Sequence, residues 1–368
     1  MLLIVFCVFI AVVVIQFLYY IVVFGKFSFA KPQTVTPKRV PISVIVCAKN
    51  EEENVKKFVP LLAEQDYHTF EIVLIDDASS DNTLEIFEEF EKQYPNIKLV
   101  KVENNEAFWG NKKFALTLGI KAAKYEYLLF TDADCYPTSK DWITSMSAQF
   151  TQQKNIVLGY GAYEKISNSF LNKIIRFETL LTATQYFSWA KIGKPYMGIG
   201  RNMAYKREEF FKVRGFMDHM KIRSGDDDLF INQAANGDNT TICYVPDSFT
   251  YSTPKTRFKD WFTQKRRHVS TAKHYKLFDR NQLGLFYVSQ LLFLLLPVVL
   301  LAFQYQWIAV VSIIGFRYLF AWLTLGFAAG KLKEKDVMYW FPIIEIVLIF
   351  TQLNVFITNT FSKPVHWK

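Results

Sequence analysis

Cysteine is scarce in this sequence, and its placement argues against two kinds of fold. The chain of 368 residues has four cysteines, and none of them stands in a C-x-x-C spacing: Cys7, Cys47, Cys135 and Cys243. This scatter argues against a zinc site and against a disulfide framework, so we expect the soluble part of the chain to lie in a reducing compartment. A Walker-type glycine loop is also missing, which argues against ATP hydrolysis.

Charge is missing from the N-terminal stretch. Residues 2–24 carry no charged side chain, and they are long enough to cross a bilayer, which takes about 20 apolar residues. A cleaved signal peptide is disfavoured because no basic residue precedes the run and no small-x-small site follows it. Four basic residues occupy the linker at 25–40, so the positive-inside rule predicts a cytoplasmic location from residue 25 onward.

The C-terminal part, residues 283–368, is predicted to be a membrane region with about three helices. Three apolar stretches approach a spanning length, namely Leu283–Phe303, Trp307–Ala329 and Val337–Thr360. The connection GKLKEKD between the last two carries three lysines, as expected of a cytoplasmic loop. Arg317 and Glu345 interrupt these stretches. Lone charges are costly in hydrocarbon, so we expect them to pair or to line a polar site, or else to reach water from partly interfacial segments.

The net charge of +9 suits anionic lipid headgroups or phosphorylated ligands. Nucleic acid is a less suitable partner, because the basic residues are dispersed through the middle of the chain or lie beside the apolar stretches. We therefore expect a membrane protein that binds no nucleic acid.

The middle of the chain, residues 41–282, has the pattern of an α/β domain. Short apolar runs alternate with amphipathic stretches, as in βαβ units. Strands are predicted at 42–47, 71–75, 98–102, 127–130 and 156–160, and helices at 55–64, 83–93, 112–124 and 142–152. The aromatic-rich segment 170–190 is predicted to be a helix, packed either on this domain or at the membrane surface.

Two carboxylates, Asp132 and Asp134, follow the strand predicted at 127–130. If strand geometry persists through residue 134, their spacing points both side chains to one face. Like charges that close repel each other unless a cation lies between them, and Mg²⁺ or Mn²⁺ prefers carboxylate oxygens. The functional interpretation is a metal clamp for a diphosphate at the carboxyl edge of the sheet; the alternative is an Asx-turn after a strand.

Several motifs together resemble the membrane-bound glycosyltransferases of family 2. They are AKNEE at 48–52, DDASSDNT at 76–83, NKKFALTLG at 111–119, TDADC at 131–135, SGDDDLF at 224–230 and QKRRH at 264–268. In the third motif, Asn111 stands where the family usually has glycine. The resemblance implies a GT-A nucleotide-sugar-binding, Rossmann-like α/β domain with a mixed sheet, flanked by transmembrane helices.

The resemblance also implies a donor site. Ala48, Asn50 and Glu51 would lie at the nucleoside, and Asp77 would hold the uracil edge. Lys112 is the lysine of the third motif and would bind the donor. Asp132 and Asp134 would bind Mn²⁺ or Mg²⁺, with Asp132 also near the ribose and sugar.

The base and the acceptor site are less closely defined. Aligning SGDDDLF with the family's E-D-x-D-L makes Asp226 the general base, with Gly225 replacing the glutamate, whereas a shift of one residue makes it Asp227. An acidic helix N-terminus is the structural alternative. The segment GIGRN is predicted to shape the acceptor pocket through Gly200, Arg201 and Asn202.

In the basic motif, Gln264 and Arg267 match the family's Q-x-x-R-W, and His268 replaces the tryptophan that contacts the acceptor in polymerising members. Arg267 suits a diphosphate because a guanidinium holds phosphate oxygens bidentately. A basic patch beside the membrane that binds lipid phosphates is the alternative.

These observations predict an inverting, metal-dependent transfer from a nucleotide sugar, with UDP as the first choice and GDP open, to a lipid or lipid-linked glycan acceptor at the cytoplasmic membrane face. A processive polysaccharide synthase is the alternative within the same class. A non-catalytic nucleotide-sugar-binding protein is the alternative from another class, and a nucleotidyltransferase would leave Q-x-x-R unexplained.

Overall fold

The computed structural model describes residues 1–103, 112–222 and 224–362. They form two compact units. The sheet unit comprises Pro32–Lys165 and Gly193–Pro254, and the helical unit comprises Met1–Lys31, Ile166–Ile192 and the described chain from Lys255 onward.

Between residues 42 and 132, the described strands and helices of the sheet unit alternate, as expected of βαβ units. The strands are β1 (Ile42–Ala48), β2 (Phe70–Asp76), β3 (Ile97–Lys101), β4 (Tyr127–Asp132), β5 (Cys135–Pro137), β6 (Ile156–Leu158), β7 (Gly161–Tyr163), β8 (Met203–Lys206), β9 (Thr240–Ile242) and β10 (Thr250–Ser252). The α-helices among the described residues of both units are α1 (Leu2–Phe17), α2 (Gly25–Ser28), α3 (Glu52–Ala63), α4 (Thr83–Gln93), α5 (Lys112–Ala122), α6 (Trp142–Ser147), α7 (Phe170–Lys191), α8 (Arg207–Lys212), α9 (Asp228–Ala234), α10 (Phe258–Val269), α11 (Leu277–Ala302), α12 (Trp307–Lys331) and α13 (Phe341–Phe361).

The main sheet has seven strands in the order β3-β2-β1-β4-β8-β6-β9. Strands β3, β2, β1 and β4 are parallel, whereas β8 runs antiparallel to β4 and β6. The predicted mixed sheet is therefore confirmed. In the register of β1, Ala48 pairs with Asp76 and Cys47 pairs with Asp132, so the carboxylates that end β2 and β4 lie on either side of the carboxyl end of β1.

The central strands are buried on both faces, which is why they read as continuous apolar runs. Val44 and Val46 of β1 share one core with Phe87 of α4 and Trp142 of α6. Each fully buried side chain of this size contributes roughly 1.5–3 kcal/mol. On α5, a Cβ at Gly119 would come within 2.1 Å of the Ile75 side chain, so glycine allows that helix to lie close against β2.

Three short strands form a second sheet in the order β5-β10-β7. Strand β10 is antiparallel to β5, with Ser252 opposite Cys135, and parallel to β7, with Ser252 opposite Tyr163. This sheet begins where the Asp132–Asp134 turn ends, so it supports that turn.

Among the described residues, four helices are long and apolar enough to cross a membrane: Leu2–Ser28, Leu277–Ala302, Trp307–Lys331 and Lys335–Phe361. The first consists of α1, a π-helical stretch and α2. The chain is therefore compatible with a membrane protein, as the sequence predicted.

Arg317 of α12 and Glu345 of α13 form a buried ion pair, which confirms the prediction that these charges pair. The two guanidinium nitrogens Nη1 and Nη2 lie 2.7 and 2.6 Å from the carboxylate oxygens, and the side chains are 0% and 3% exposed. The guanidinium also donates to Gln16 of α1 at 2.5 Å, and Gln16 donates to the Ser289 carbonyl of α11 at 2.8 Å. One polar network thus joins all four apolar helices.

Helix α7 packs within the helical unit, although the sequence placed its residues inside the catalytic domain. Arg176 is buried and binds Glu334 and, at 2.6–2.8 Å, Asp336, both in the segment between α12 and α13. Residues 255–282 also belong to the helical unit. The domain boundaries predicted at 24, 40 and 282 stay predictions. They follow changes in sequence composition, whereas the two compact units are defined by which residues pack together.

Smaller differences concern the ends of elements. Helix α6 ends at Ser147 and not at 152, and β6 ends at Leu158 and not at 160. The condition that strand geometry persists through residue 134 is wrong, because β4 ends at Asp132 and the chain turns before β5. A tight turn, and not an extended strand, therefore brings Asp132 and Asp134 together.

Candidate active site

The loops that follow β1 and β2 are joined by hydrogen bonds and form one rim at the carboxyl ends of these strands. The Asn50 side-chain oxygen accepts a hydrogen bond from the Ser80 backbone N–H at 2.8 Å, and the Asp77 N–H donates to the Ala48 carbonyl at 2.9 Å. Asn50 adopts a left-handed φ of 55°, a conformation that asparagine tolerates better than most residues. The Glu51 N–H donates to Thr83 at 2.9 Å. Ala48, Asn50, Glu51 and Asp77 are thus brought together, as the motifs predicted.

Asp77 is the buried acidic group of this rim. Its residue is 7% exposed, and burial raises the pKa of its carboxyl group, while Lys49 acts in the opposite direction. A carboxylate enclosed in this way suits a polar N–H of a ligand better than a solvated cation.

Lys112, the first residue of α5, connects the two groups of carboxylates. Its Nζ lies 2.7 Å from Asp132 Oδ1 and 3.0 Å from Asp226 Oδ2. Burial alone would lower the pKa of Lys112, but the attraction of Asp132 and Asp226 outweighs it and the pKa is raised. Asp132 at the end of β4 and Asp226 just before α9, which are 94 positions apart, therefore meet at one ammonium group. Asn111, which precedes it, lies outside the described residues.

Asp226 and Asp227 have different surroundings. Burial opposes ionisation of Asp226, but Lys112 outweighs it and lowers the pKa of this carboxyl group. Asp227 instead accepts backbone N–H groups from Gly200 and Asp228, both at 2.7 Å. Burial raises the pKa of Asp227 to about 7, and its acidic neighbours add to the rise. Asp226 thus lies at the cleft beside Lys112, whereas Asp227 caps α9 and holds the loop at Gly200.

The turn at Asp132–Asp134 could hold a divalent cation. Ligand atoms of Asp132, Asp134 and Cys135 all lie within 4.8 Å of one another. Burial, followed by the charge of Asp134, raises the pKa of the Cys135 thiol well above its usual value, and its sulfur donates to Asp134 Oδ1 at 3.3 Å. The two carboxylates, without the thiol, form the hard-oxygen ligand set that Mg²⁺ or Mn²⁺ prefers.

The predicted acceptor residues have more structural contacts than expected. Asn202 is 0% exposed; it accepts from the Trp142 indole at 3.1 Å and donates to the Tyr160 and Ser248 carbonyls at 2.8 and 2.6 Å. A substrate therefore does not reach its side chain, and Asn202 shapes the site only through the backbone it holds.

Arg201 is bound to the three-stranded sheet. Its guanidinium donates to the Gly161 carbonyl at 2.9 Å and the Ser252 hydroxyl at 2.7 Å. It also lies over the Tyr163 ring, 4.3 Å from the centroid. Of the three residues predicted from GIGRN, Gly200 approaches the acidic segment most directly, through its N–H bond to Asp227.

A small cleft lies beside this cluster. Its lining includes Lys112, Asp132 and Asp226, together with three residues that sequence reasoning missed: Thr131, Tyr205 and Phe216. The hydroxyl groups of Thr131 and Tyr205 are buried and have no hydrogen-bond partner among the described residues. They lie on adjacent strands, β4 and β8, with Tyr205 opposite Leu128 in the register, and no local motif marks either of them as part of the cleft.

Gln264, Arg267 and His268 lie on α10, which belongs to the helical unit. Their assignment to the diphosphate and the acceptor stays a prediction from the motif.

Comparison with known proteins adds a family and a fold. Residues 43–227 match the family model for glycosyl transferase family 2. The chain is 41% identical over 93 residues to a poly-beta-1,6-N-acetyl-D-glucosamine synthase of Staphylococcus epidermidis, covering 25% of this chain and 21% of that protein. It is 26% identical over 242 residues to the probable glycosyltransferase YdaM of Bacillus subtilis, covering 62% and 55%. The chain thus spans about a fifth of the length of the curated relative named first.

Among solved structures, the chain is similar to the mannosyltransferase PcManGT from Pyrobaculum calidifontis in complex with GDP-Man and Mn²⁺. The TM-score is 0.61 at 18% identity, and the match covers 95% of this chain and 99% of the other. At this identity the likeness shows the fold alone. It confirms the predicted GT-A architecture of a mixed α/β sheet with apolar helices.

Proposed function

Because this chain belongs to glycosyl transferase family 2, we propose that it is an inverting, metal-dependent glycosyltransferase. It moves a sugar from a nucleotide sugar to a lipid or lipid-linked glycan at the cytoplasmic membrane face. The observation that carries this proposal is the meeting of Asp132 and Asp226 at Lys112, within 3.0 Å. A donor-side carboxylate and a candidate base thereby lie at one cleft.

The reaction needs a base near the point of attack. The acceptor hydroxyl oxygen forms a bond to the anomeric carbon as the bond to the diphosphate oxygen breaks, and the leaving electron pair goes to that oxygen. Asp226 takes the hydroxyl proton, a general-base step. It is the preferred base because Lys112 keeps it ionised, whereas both oxygens of Asp227 accept backbone hydrogen bonds. A single displacement of this kind inverts the anomeric configuration.

The metal would be held by Asp132 and Asp134, whose oxygens fit Mn²⁺ or Mg²⁺ as described above. When bound, it would supply positive charge that stabilises the departing diphosphate. Lys112 adds a protein cation at the same place, since it already lies 2.7 Å from Asp132.

The nucleoside would bind at the rim formed by Ala48, Asn50, Glu51 and Asp77. The buried Asp77 carboxylate suits the N–H of uracil, which favours a UDP-sugar. A guanine base also presents N–H groups, and PcManGT is described in complex with GDP-Man, so GDP-sugars belong in the same test.

A lipid acceptor is supported by the four apolar helices, which would keep the chain at a membrane. Gln264, Arg267 and His268 are proposed to serve the diphosphate and the acceptor, on the motif alone.

A processive polysaccharide synthase is the second candidate, and one observation favours it. The segment similar to the poly-beta-1,6-N-acetyl-D-glucosamine synthase is 41% identical, but it covers only a quarter of this chain. Two features count against polymerisation: four apolar helices are a narrow basis for a channel, and His268 replaces the tryptophan of Q-x-x-R-W. A non-catalytic binding protein is less well supported, because the carboxylates are intact at every motif.

The test is donor turnover by the purified full-length chain in detergent with Mn²⁺. A panel of UDP- and GDP-sugars is screened for release of nucleoside diphosphate, with and without membrane lipid extract, and Asp226→Asn is the matched inactive control. Release that needs one donor, the metal and the lipid is the expected result. Long glycan products would favour the polysaccharide synthase. Donor binding without release, under all acceptors tried, would contradict the proposal.

A further inference from the structure

Two neighbouring lysines at the start of α5 have different surroundings. Lys112 faces the carboxylates of the cleft, whereas Lys113 is 1% exposed and is bonded to backbone. Its Nζ donates to the carbonyl oxygens of His219, Ile222 and Ser224 at 2.9, 2.8 and 2.8 Å. These three bonds match the three donors of an ammonium group.

Burying an ammonium group is costly, so this position has a lysine for a reason other than packing. Burial lowers the pKa of Lys113 to about 8, while the nearby acidic residues act in the opposite direction. Three carbonyl dipoles that converge on one point repel each other unless a donor lies between them. The lysine therefore determines the shape of the chain that carries those carbonyls.

That chain leads directly into the candidate base. Ser224 is followed by Gly225 and Asp226. Gly225 has a φ of 91°, and a Cβ there would come within 2.5 Å of the Leu229 side chain, so this link requires glycine. This explains why glycine replaces the glutamate of the family motif. With the Ser224 carbonyl held by Lys113 at 2.8 Å, the direction in which the chain enters Asp226 is fixed.

We propose that Lys113 is a positioning residue that sets the reach of Asp226 toward Lys112 and the acceptor by holding the carbonyls of His219, Ile222 and Ser224. Part of this inference, the effect on turnover, rests on the proposed function. Lys113 has no contact with the reacting atoms; it acts through Asp226. The adjacent lysines thus have different roles. Lys112 pairs with the Asp226 carboxylate, and Lys113 binds the backbone carbonyls that precede Asp226.

The test compares the full-length wild type with Lys113→Met, Lys113→Gln and a control, Lys121→Met, an exposed lysine on the same helix. The first readout is hydrogen–deuterium exchange by mass spectrometry of the peptide spanning 216–229, which needs no substrate. The second is the kcat and the donor KM for release of nucleoside diphosphate. Gln keeps two N–H donors, so its effect should lie between those of wild type and Met.

We expect Lys113→Met to speed exchange in this peptide by about tenfold or more and to lower kcat by about 10- to 100-fold, the scale of a misplaced catalytic group. The donor KM should stay within about twofold, because Asp77 and Asp132 are untouched. Lys121→Met should match wild type in both readouts, and Gln should retain the fold if Met does not.

Unchanged exchange in Lys113→Met and Lys113→Gln would overturn the proposal, and so would faster exchange with unchanged kcat. A parallel rise in donor KM and fall in kcat would indicate that Lys113 is merely structural and would also overturn the proposal. The same holds if both variants lose protection from hydrogen–deuterium exchange throughout the chain. If wild type releases nucleoside diphosphate from no donor, the proposed function fails by itself. The exchange readout then still decides whether Lys113 holds the segment.

Discussion

The ion pair between Arg317 and Glu345 allows a double-mutant test of how the apolar helices are held together. The change is Glu345→Leu, Arg317→Met, and the two combined. Among the described residues, Glu345→Leu leaves the Arg317 guanidinium with the neutral hydrogen-bond acceptors Gln16 and Tyr20, at 2.5 and 3.4 Å, and with the aromatic rings around it. The guanidinium cannot lose its charge, so the whole cost of an unpaired buried cation remains.

The expected magnitude follows from that burial. Removing one partner of a buried pair costs about 3–5 kcal/mol, and a lone arginine at the centre of a membrane helix costs about 2.5–3.5 kcal/mol on insertion scales. We expect Glu345→Leu to destabilise the chain by about 3 kcal/mol. Arg317→Met should also destabilise the chain, because the buried Glu345 carboxyl group loses its cationic partner. The double variant should lie within about 1 kcal/mol of wild type, because it leaves no buried charge unpaired.

The assay is reversible unfolding of the four proteins in mixed detergent micelles, followed by tryptophan fluorescence. Ile343→Leu, at a half-exposed position of the same helix, serves as a control that should match wild type. The reasoning is refuted if the double variant is as unstable as the sum of the two single variants, or if Glu345→Leu alone has no effect.

Three further predictions concern the candidate active site. Asp226→Asn should lower kcat by about 10²–10⁴-fold, the usual contribution of a general base. Asp227→Asn should chiefly lower the melting temperature, since it weakens a helix cap worth about 1 kcal/mol. Equal losses of kcat in the two variants would contradict the assignment of Asp226 as the base. Asp134→Ala should abolish transfer and leave the circular dichroism spectrum unchanged, and full activity in a Mn²⁺ titration would remove the metal argument. Asn202→Ala should cost about 2–4 kcal/mol in unfolding experiments, because it leaves buried groups unsatisfied, while the acceptor KM stays as in wild type. A raised acceptor KM with normal stability would restore the predicted contact of Asn202 with the acceptor.

Sequence reasoning located β1, β2 and β4 within one or two residues, because parallel central strands read as unbroken apolar runs. It missed β5, β7, β9 and β10, each three residues long, and β8, which has four, since strands this short have no measurable period. It also expected the segment 170–190 to pack on the sheet domain as one alternative. The partners of Arg176 lie 158 and 160 positions further along the chain, a distance at which no local pattern exists.

Some residues of the candidate site could likewise be predicted from the sequence, and others could not. Asp132 was predicted from carboxylates that follow a strand, whereas Lys112 and Asp226 were predicted from the resemblance of their motifs to those of the family; the structure brings both carboxylates within 3.0 Å of the Lys112 ammonium group. Lys113 could not be predicted, because its partners are backbone carbonyls more than 100 positions away and carbonyls carry no sequence signal. Asn202 is predicted to shape the acceptor pocket because the glycines of its segment permit a close backbone approach; its burial depends on Trp142, 60 positions earlier.

The binding of Arg176 to Glu334 also has a consequence for the order of events during synthesis. The arginine leaves the ribosome 158 residues ahead of its partner, and at about 5–20 residues per second this is a wait of roughly ten to thirty seconds. Throughout that time α7 exists with its guanidinium unpaired, while α11 and α12 are still being made. The guanidinium of Arg176 therefore needs water or lipid headgroups as temporary partners. The docking of α7 against the segment between α12 and α13 is among the last steps in the folding of the nascent chain.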